Sequence, residues 1–237
     1  PIQVLDLANR TQDTIATINM YVDLPHHFKG THMSRFVETI NHHGKIIHVE
    51  NIEKIVREMR ERLDAEEAHL EIEFPYFIEK KAPISKARGL VDYTGFFTAN
   101  LKGRTLDFSY GVVVPVTTLC PCSKAISARG AHNQRGVVHV EVRTRKTVWL
   151  EELIRIVEKS ASSELYSLLK RQDEKFVTER AFDNPVFVED LGRTVAVVLK
   201  KDKRVVWYRV EAENHESIHT HNAYAQVVGG KPPGRFC

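Results

Sequence analysis

Val49 to Lys80 reads V-E-N-I-E-K-I-V-R-E-M-R-E-R-L-D-A-E-E-A-H-L-E-I-E-F-P-Y-F-I-E-K, and the spacing of its apolar residues changes midway. Ile52, Ile55, Val56, Met59 and Leu63 recur at three- and four-residue intervals, the stripe of an amphipathic helix. From His69 the period is two: Leu70, Ile72, Phe74 and Tyr76 alternate with Glu71 and Glu73, the pattern of an antiparallel strand wet on one face.

Working outward, Thr14 to Leu24 is β-branched and roughly alternating, and Pro25 closes it as a strand. Met33, Phe36, Val37 and Ile40 suit a short helix, with Gly44 as its stop. Downstream, Gly89–Leu101 and Thr105–Thr118 read as strands joined by a tight turn at Lys102-Gly103-Arg104. The theme then repeats. Residues 137 to 145 form a strand, and Trp149–Ser160 a helix with Leu150, Leu153, Ile154 and Val157 on one face. Glu164–Lys170 reads as a second short helix. Arg171 to Pro185 shows little periodicity and reads as loop or short helices, and Pro185 opens a helix to about Lys200. Strands at Arg204–Glu213 and His221–Val228 complete the second half. Strands flanking paired helices, twice over, predict an α+β fold with antiparallel sheets, divided at 1–118 and 119–228, with 229–237 a disordered tail ending in Cys237.

The composition is that of an ordinary soluble domain: 237 residues, 42% hydrophobic and 27% charged. No run approaches the ~20 apolar residues of a membrane span, and no charged-then-apolar signal segment opens the chain. A formal charge of +3 is too small to argue for nucleic acid. Three cysteines build no disulfide framework, which points to a reducing cytoplasm. The histidines cluster at His26, His27, His32, His42 and His43, and again at His215, His219 and His221, as candidates for metal, phosphate or proton transfer.

Chemistry concentrates between two strands, in L-C-P-C-S-K-A-I-S-A-R-G-A-H-N-Q-R-G from Leu119 to Gly136. Cys120, Cys122 and His132 carry the donors a borderline-soft cation prefers, on a Pro-, Ser- and Gly-containing loop able to turn them inward. A cysteine beside a proline is also a small buried apolar residue, so both readings stand. Three other features sit on loops or strand ends: T-H-M-S-R at 31–35, the D-E-K stretch with Glu174, and H-E-S-I-H-T-H at 215–221. Thiolate, imidazoles and carboxylates together can supply three ligands and leave a position for water. Taken singly they have bland readings: His32 and Arg35 as caps, His219 and His221 as a surface pair on one strand face, Glu174 as a solvated charge. Glu189 is odder, an acid in the apolar run V-F-V-E-D that calls for a partner.

These motifs together resemble a family. T-L-C-P-C-S-K-x-I-S, G-A-H-N-Q-R, R-Q-D-E-K-F-V-T-E, N-P-x-F-V-E-D, E-S-I-H-x-H-x-A-Y-A and the G-T-H-M-S-R-F loop are similar to the prokaryotic type IB GTP cyclohydrolase I and its archaeal relative, over nearly the whole chain outside the tail. The resemblance implies the tunnelling fold: two tandem modules, each an antiparallel four-stranded sheet with paired helices, assembling into barrels. It implies hydrolytic opening of the guanine imidazole ring of GTP, release of formate, and formation of 7,8-dihydroneopterin triphosphate for folate and pterin biosynthesis. By the same analogy Cys120, His132 and Glu174 hold a divalent metal (zinc, manganese or iron(II)), Cys120 is also the first catalytic residue, and His219 and Glu216 transfer protons. Glu189 anchors the guanine edge. His32, Arg35, Lys124 and Arg135 are assigned here to the triphosphate as cations of the right type. A cytoplasmic homotetramer with sites at subunit interfaces is expected, with neither nucleic acid nor membrane as partner. Two other outcomes stay open: the cyclic phosphate product of the archaeal relative, and a non-catalytic purine- or pterin-binding protein of the same fold.

Overall fold

The structure is a computed structural model and describes residues 1–7, 10–23, 30, 32–43, 46–49 and 51–231. Its elements, in chain order, are β1 (Ile2–Leu5), β2 (Thr11–Thr14), β3 (Thr17–Val22), α1 (Met33–His42), β4 (Ile46–Ile47), α2 (Ile52–Arg62), β5 (Glu67–Lys81), β6 (Arg88–Lys102), β7 (Thr105–Leu119) and α3 (Pro121–Ile126). Then come β8 (Asn133–Thr144), α4 (Leu150–Ser160), β9 (Ser163–Glu164), α5 (Arg171–Asp183), α6 (Val188–Lys201), β10 (Val205–His215) and β11 (Ala223–Gly230). The mixed α+β class expected from the sequence is observed. The chain divides into two compact units, Pro1–Tyr76 with Thr94–Tyr110, and Phe77–Tyr93 with Gly111–Cys237.

In the first unit, α2 buries the stripe that its sequence spacing predicts: Ile52, Ile55, Val56 and Met59 are all but inaccessible to solvent. Each such side chain contributes roughly 1.5–3 kcal/mol of burial energy. Helix α1 packs against α2 but buries only Phe36 and Thr39. The alternation of β5 is realised, with Leu70, Ile72, Phe74 and Tyr76 inside, and Phe74 meets Phe97 of β6 with ring centroids 5.2 Å apart. The β6–β7 turn forms where expected: Gly103 has φ of 54°, in the left-handed region open to glycine at no steric cost.

The single strand expected over Thr14–Leu24 is instead divided between two sheets. Thr11–Thr14 pairs antiparallel with β1, which pairs parallel with β4, whereas Thr17–Val22 pairs with Glu73 back to Ala68 of β5. Leu24, Pro25, His26, His27 and Gly44 lie outside the described residues.

In the second unit the ladder runs β11-β10-β8-β7, with β9 also on β7. Helix α6 covers β10 and β11 and touches α4. Its Leu191, Val195 and Leu199 and the Leu153, Ile154 and Val157 of α4 are buried, as are Val138, Val140, Val142, Val210 and Ala212 on the strands. The α4 start is fixed electrostatically: Glu152 accepts from the Trp149 backbone N–H and from Arg204. Burial raises the Glu152 carboxyl, but the Arg204 and Trp149 bonds outweigh it and hold the group below its ordinary range.

Four expectations fail here. Glu164–Lys170 is not a helix, because Ser163 and Glu164 pair with Thr117 and Val116, the Leu165 carbonyl accepts from Lys80, and the Glu164 carboxylate meets Arg180. The aperiodic Arg171–Asp183 stretch is one continuous helix, α5. Helix α6 begins at Val188, not Pro185, because Asn184 still caps α5. Finally β11 starts at Ala223, so His221 precedes it, and runs to Gly230, two residues into the segment expected to be a disordered tail; residues 232–237 lie outside the described set.

Candidate active site

The loop between β7 and β8 is closed on itself. The Cys120 backbone N–H donates to the His132 carbonyl at 3.1 Å, which sets the two residues side by side across the loop's neck. Ser123 Oγ accepts from the His132 N–H at 3.1 Å and donates to the Cys120 carbonyl at 3.2 Å. Pro121 occupies the first turn of α3, where its missing N–H costs nothing. Cys120 caps that turn, its Sγ accepting from the Ser123 N–H at 3.4 Å. Cys120 is half-buried and Cys122 exposed, so the proline turns the two thiols into different surroundings.

From His132 a chain of side chains leads to β10. His132 Nδ1 lies 3.0 Å from Gln134 Oε1, and Gln134 Nε2 donates to Glu216 Oε1 at 3.4 Å. Glu216 Oε2 is 3.9 Å from His132 Nδ1. The amide has one donor end and one acceptor end; with its N–H directed at Glu216, its oxygen faces the imidazole and must accept, so Nδ1 carries the hydrogen. The Nε2 lone pair of His132 is therefore left for a cation, the arrangement in which a second residue orients a metal-ligating histidine. A thiol and an imidazole so oriented are donor types that a borderline-soft divalent ion takes, although among the described residues they are not joined by a third ligand atom. Gln134, which the sequence does not mark by residue type, is the second residue of β8, and His132 immediately precedes that strand.

Gly136, two residues further on, permits this closeness. A Cβ there would meet Asn214 Oδ1 at 2.9 Å and the Cγ2 methyls of Val116 and Thr118 at 3.2 and 3.3 Å. Asn214 pairs with Gly136 across the β8–β10 ladder, two residues before Glu216.

The other candidates are dispersed. Glu174 is exposed on α5 and does not join a ligand group with Cys120 and His132 within the chain. Its neighbour Asp173 is fully buried, accepting from the backbone N–H groups of Ile84, Ser85 and Lys170 and from Ser85 Oγ. Burial raises the Asp173 carboxyl, but the Ser85 hydroxyl and these N–H groups outweigh it and hold the acid well below the usual carboxylate range. Glu189 is exposed in the first turn of α6, between buried Val188 and Leu191. The apolar run is one face of an amphipathic helix, and Glu189 lies on its exposed side.

His219 and His221 lie between β10 and β11, exposed, with rings stacked at 5.0 Å; they share a connecting segment and not a strand face. Lys124 donates to the Phe182 carbonyl and stands 4.3 Å over the Phe182 ring, and Arg135 is exposed. In the first unit, His32 precedes α1 without making a side-chain cap, and Arg35 donates to the Arg62 carbonyl at 2.9 Å. That unit also holds the one group of three metal-ligating side chains found among the described residues: His42, His43 and Glu58. Partial burial raises the Glu58 carboxyl, but the His42 bond and the nearby His43 and Arg62 outweigh it and lower its pKa.

A family model described as type I GTP cyclohydrolase folE2 matches residues 1–225. GTP cyclohydrolase FolE2 of Citrifermentans bemidjiense is 57% identical over 227 residues, covering 96% of this chain and 85% of that protein. The Syntrophus aciditrophicus protein of that name is 59% identical over 227 residues, covering 96% and 89%. Among solved structures, uricase from Arthrobacter globiformis superposes with a TM-score of 0.58 at 9% identity, over 95% of this chain and 88% of that one. Urate oxidase from Bacillus sp. TB-90 gives 0.51 at 11% identity, over 84% and 78%. At such identities these two describe fold alone, whereas the match across nearly the whole sequence carries the assignment: the chain belongs to the type I GTP cyclohydrolase FolE2 family.

Proposed function

We propose that this chain is a GTP cyclohydrolase I. It adds water across the guanine imidazole ring of GTP, releases C8 as formate and gives 7,8-dihydroneopterin triphosphate for folate biosynthesis. The observation that carries this reading is the His132–Gln134–Glu216 chain beside Cys120, in a protein of that family. Cys120 and His132 hold a divalent cation, with Glu174 as third ligand. When bound, the ion acts as a Lewis acid and brings the pKa of water toward neutrality.

The remaining work falls to the chain's own groups. Gln134 keeps the His132 ring in one tautomer and one orientation, and Glu216 and His219 take and return the protons that ring opening and formate release require. Glu189, exposed at a helix start, has both carboxylate oxygens available to two N–H donors of the guanine edge. His32, Arg35, Lys124 and Arg135 meet the triphosphate.

Among the described residues Glu174 and His219 share no ligand group with Cys120 and His132, a pattern compatible with sites completed by a neighbouring subunit in a homotetramer. Among the described residues β3 pairs only with β5 and β11 only with β10, so each keeps an edge free for another copy. In this reading residues 1–118 and 119–228 are tandem tunnelling-fold modules that close into barrels between copies, in the cytoplasm, where free Cys120 and Cys122 stay reduced.

Incubating the metal-loaded chain with GTP and analysing the products by mass spectrometry tests the assignment. Formate with the linear dihydropterin triphosphate is expected. A cyclic phosphate product would correct the final step, and GTP bound without formate release would reduce the protein to a binding module.

A further inference from the structure

We infer that His42, His43 and Glu58 form a second divalent-cation site, which clips the end of α1 to the middle of α2. His42 is the last residue of α1, His43 caps it, and Glu58 lies on the facing helix. Their ligand atoms all lie within 4.8 Å of one another: His42 Nδ1 is 2.9 Å from the Glu58 carboxylate and His43 Nε2 is 2.7 Å from Glu58 Oε2. The two rings meet edge to face, at 70° and 5.6 Å, so that two adjacent histidines aim different nitrogens at one carboxylate.

Hydrogen bonding inside the cluster does not satisfy it. His43 Nε2 and Glu58 Oε1 are both buried, and neither has a hydrogen-bond partner of acceptable geometry in spite of the short separations. Two buried polar atoms without a hydrogen bond call for a further occupant, and two imidazoles with a carboxylate are a donor set for zinc, cobalt or nickel. The competing occupant is Arg62, whose Nε lies 2.5 Å from Glu58 Oε1. That guanidinium already reaches Glu38, with NH1 at 3.8 Å from its carboxylate, and so has a second partner when a metal takes its place at Glu58. The His43 and Glu58 side chains are 17% and 19% exposed and His42 64%, which gives two sheltered ligands and one at the mouth, with further positions open to water. Since α1 buries so little by itself, the ion would be its main fastening to α2.

Cobalt(II) titration of the metal-stripped Cys120→Ala chain, followed by visible absorption and melting midpoint, tests the site without the thiol of the active-site loop. The expected result is uptake of a single cobalt ion, with a d–d spectrum, no thiolate-to-cobalt charge-transfer band and a raised midpoint. In that background His42→Ala, at an exposed position that can tolerate it, and Glu58→Gln should each weaken binding by more than roughly tenfold, and His43→Ala should abolish it. With Cys120 intact, the His42→Ala/His43→Ala double variant should keep the thiolate band, which separates this site from the active-site reading. No cobalt uptake by Cys120→Ala, uptake indifferent to both histidines, or loss of the thiolate band in the double variant would each overturn the proposal and leave an ordinary histidine–glutamate–arginine ion cluster.

Discussion

Helices α2 and α5 are of similar length and are held by opposite means. α2 turns Ile52, Ile55, Val56 and Met59 inward, so its attachment is spread over many weak contacts with no preferred direction. α5 buries only Asp173 and Ala181. It is attached at its first turn by one carboxylate that satisfies three backbone N–H groups and a hydroxyl, two of those N–H groups and the hydroxyl belonging to the β5–β6 connection. An apolar stripe tolerates small displacements, whereas a carboxylate with four donors fixes a position to within a hydrogen bond. The second kind of attachment serves a helix whose next residue, Glu174, is proposed to bind metal.

The comparison can be broken in order of expected effect. Met59→Ala in α2 should cost about 2–5 kcal/mol in urea unfolding, with little dependence on pH between 5 and 8. Asp173→Asn should lower the melting midpoint by several degrees and expose the α5 amides to hydrogen exchange while those of α2 stay protected. The pH dependence has a definite sign. Asp173 is held below its unfolded-state pKa of about 3.9, so its stabilisation is complete above that value and is lost as pH falls toward the depressed folded one. Wild-type α5 should therefore loosen on acidification below about pH 4, and Asp173→Asn should remove that component; an unchanged acid profile would show that the helix is held otherwise. Ser85→Ala, which removes one of four donors, should cost about 1–2 kcal/mol. Smallest of all, Glu174→Ala should leave the melting midpoint where it is, because the side chain is exposed, yet abolish metal-dependent turnover. A Glu174 variant that melts early would place it with Asp173 as a fastening.

What could be read in advance follows the same division. The stripe of α2 and the alternation of β5 are repeated signals, and Cys120 and His132 draw attention by residue type alone. α5 has no repeated signal to read: the aspartate that holds it looks like any surface charge until the Ile84–Ser85 backbone is placed against it. Glu189 reads as an oddity in the linear sequence because alternation of faces is invisible there: the valine before it and the leucine two residues on are buried while it is exposed. The strand expected over Thr14–Leu24 was right in character, but alternation cannot tell that its two ends pair with different sheets. Gln134 is visible only when β10 brings Glu216 alongside β8, a juxtaposition of residues 82 positions apart.

The neutral amide of Gln134 acts as a spacer. It stands between Glu216 and His132, accepting at one end and donating at the other. The amide passes orientation from the glutamate to the imidazole, while the carboxylate 3.9 Å away acts on the ring only through space and not through a direct bond. The residue proposed to exchange protons and the residue proposed to bind metal then stand within 4 Å of each other without a direct hydrogen bond. Spontaneous hydrolysis of that one amide to a carboxylate would replace the donor facing Glu216 by a second acid, so the slow chemical ageing of Gln134 would disorder the proposed site without breaking any element of the fold.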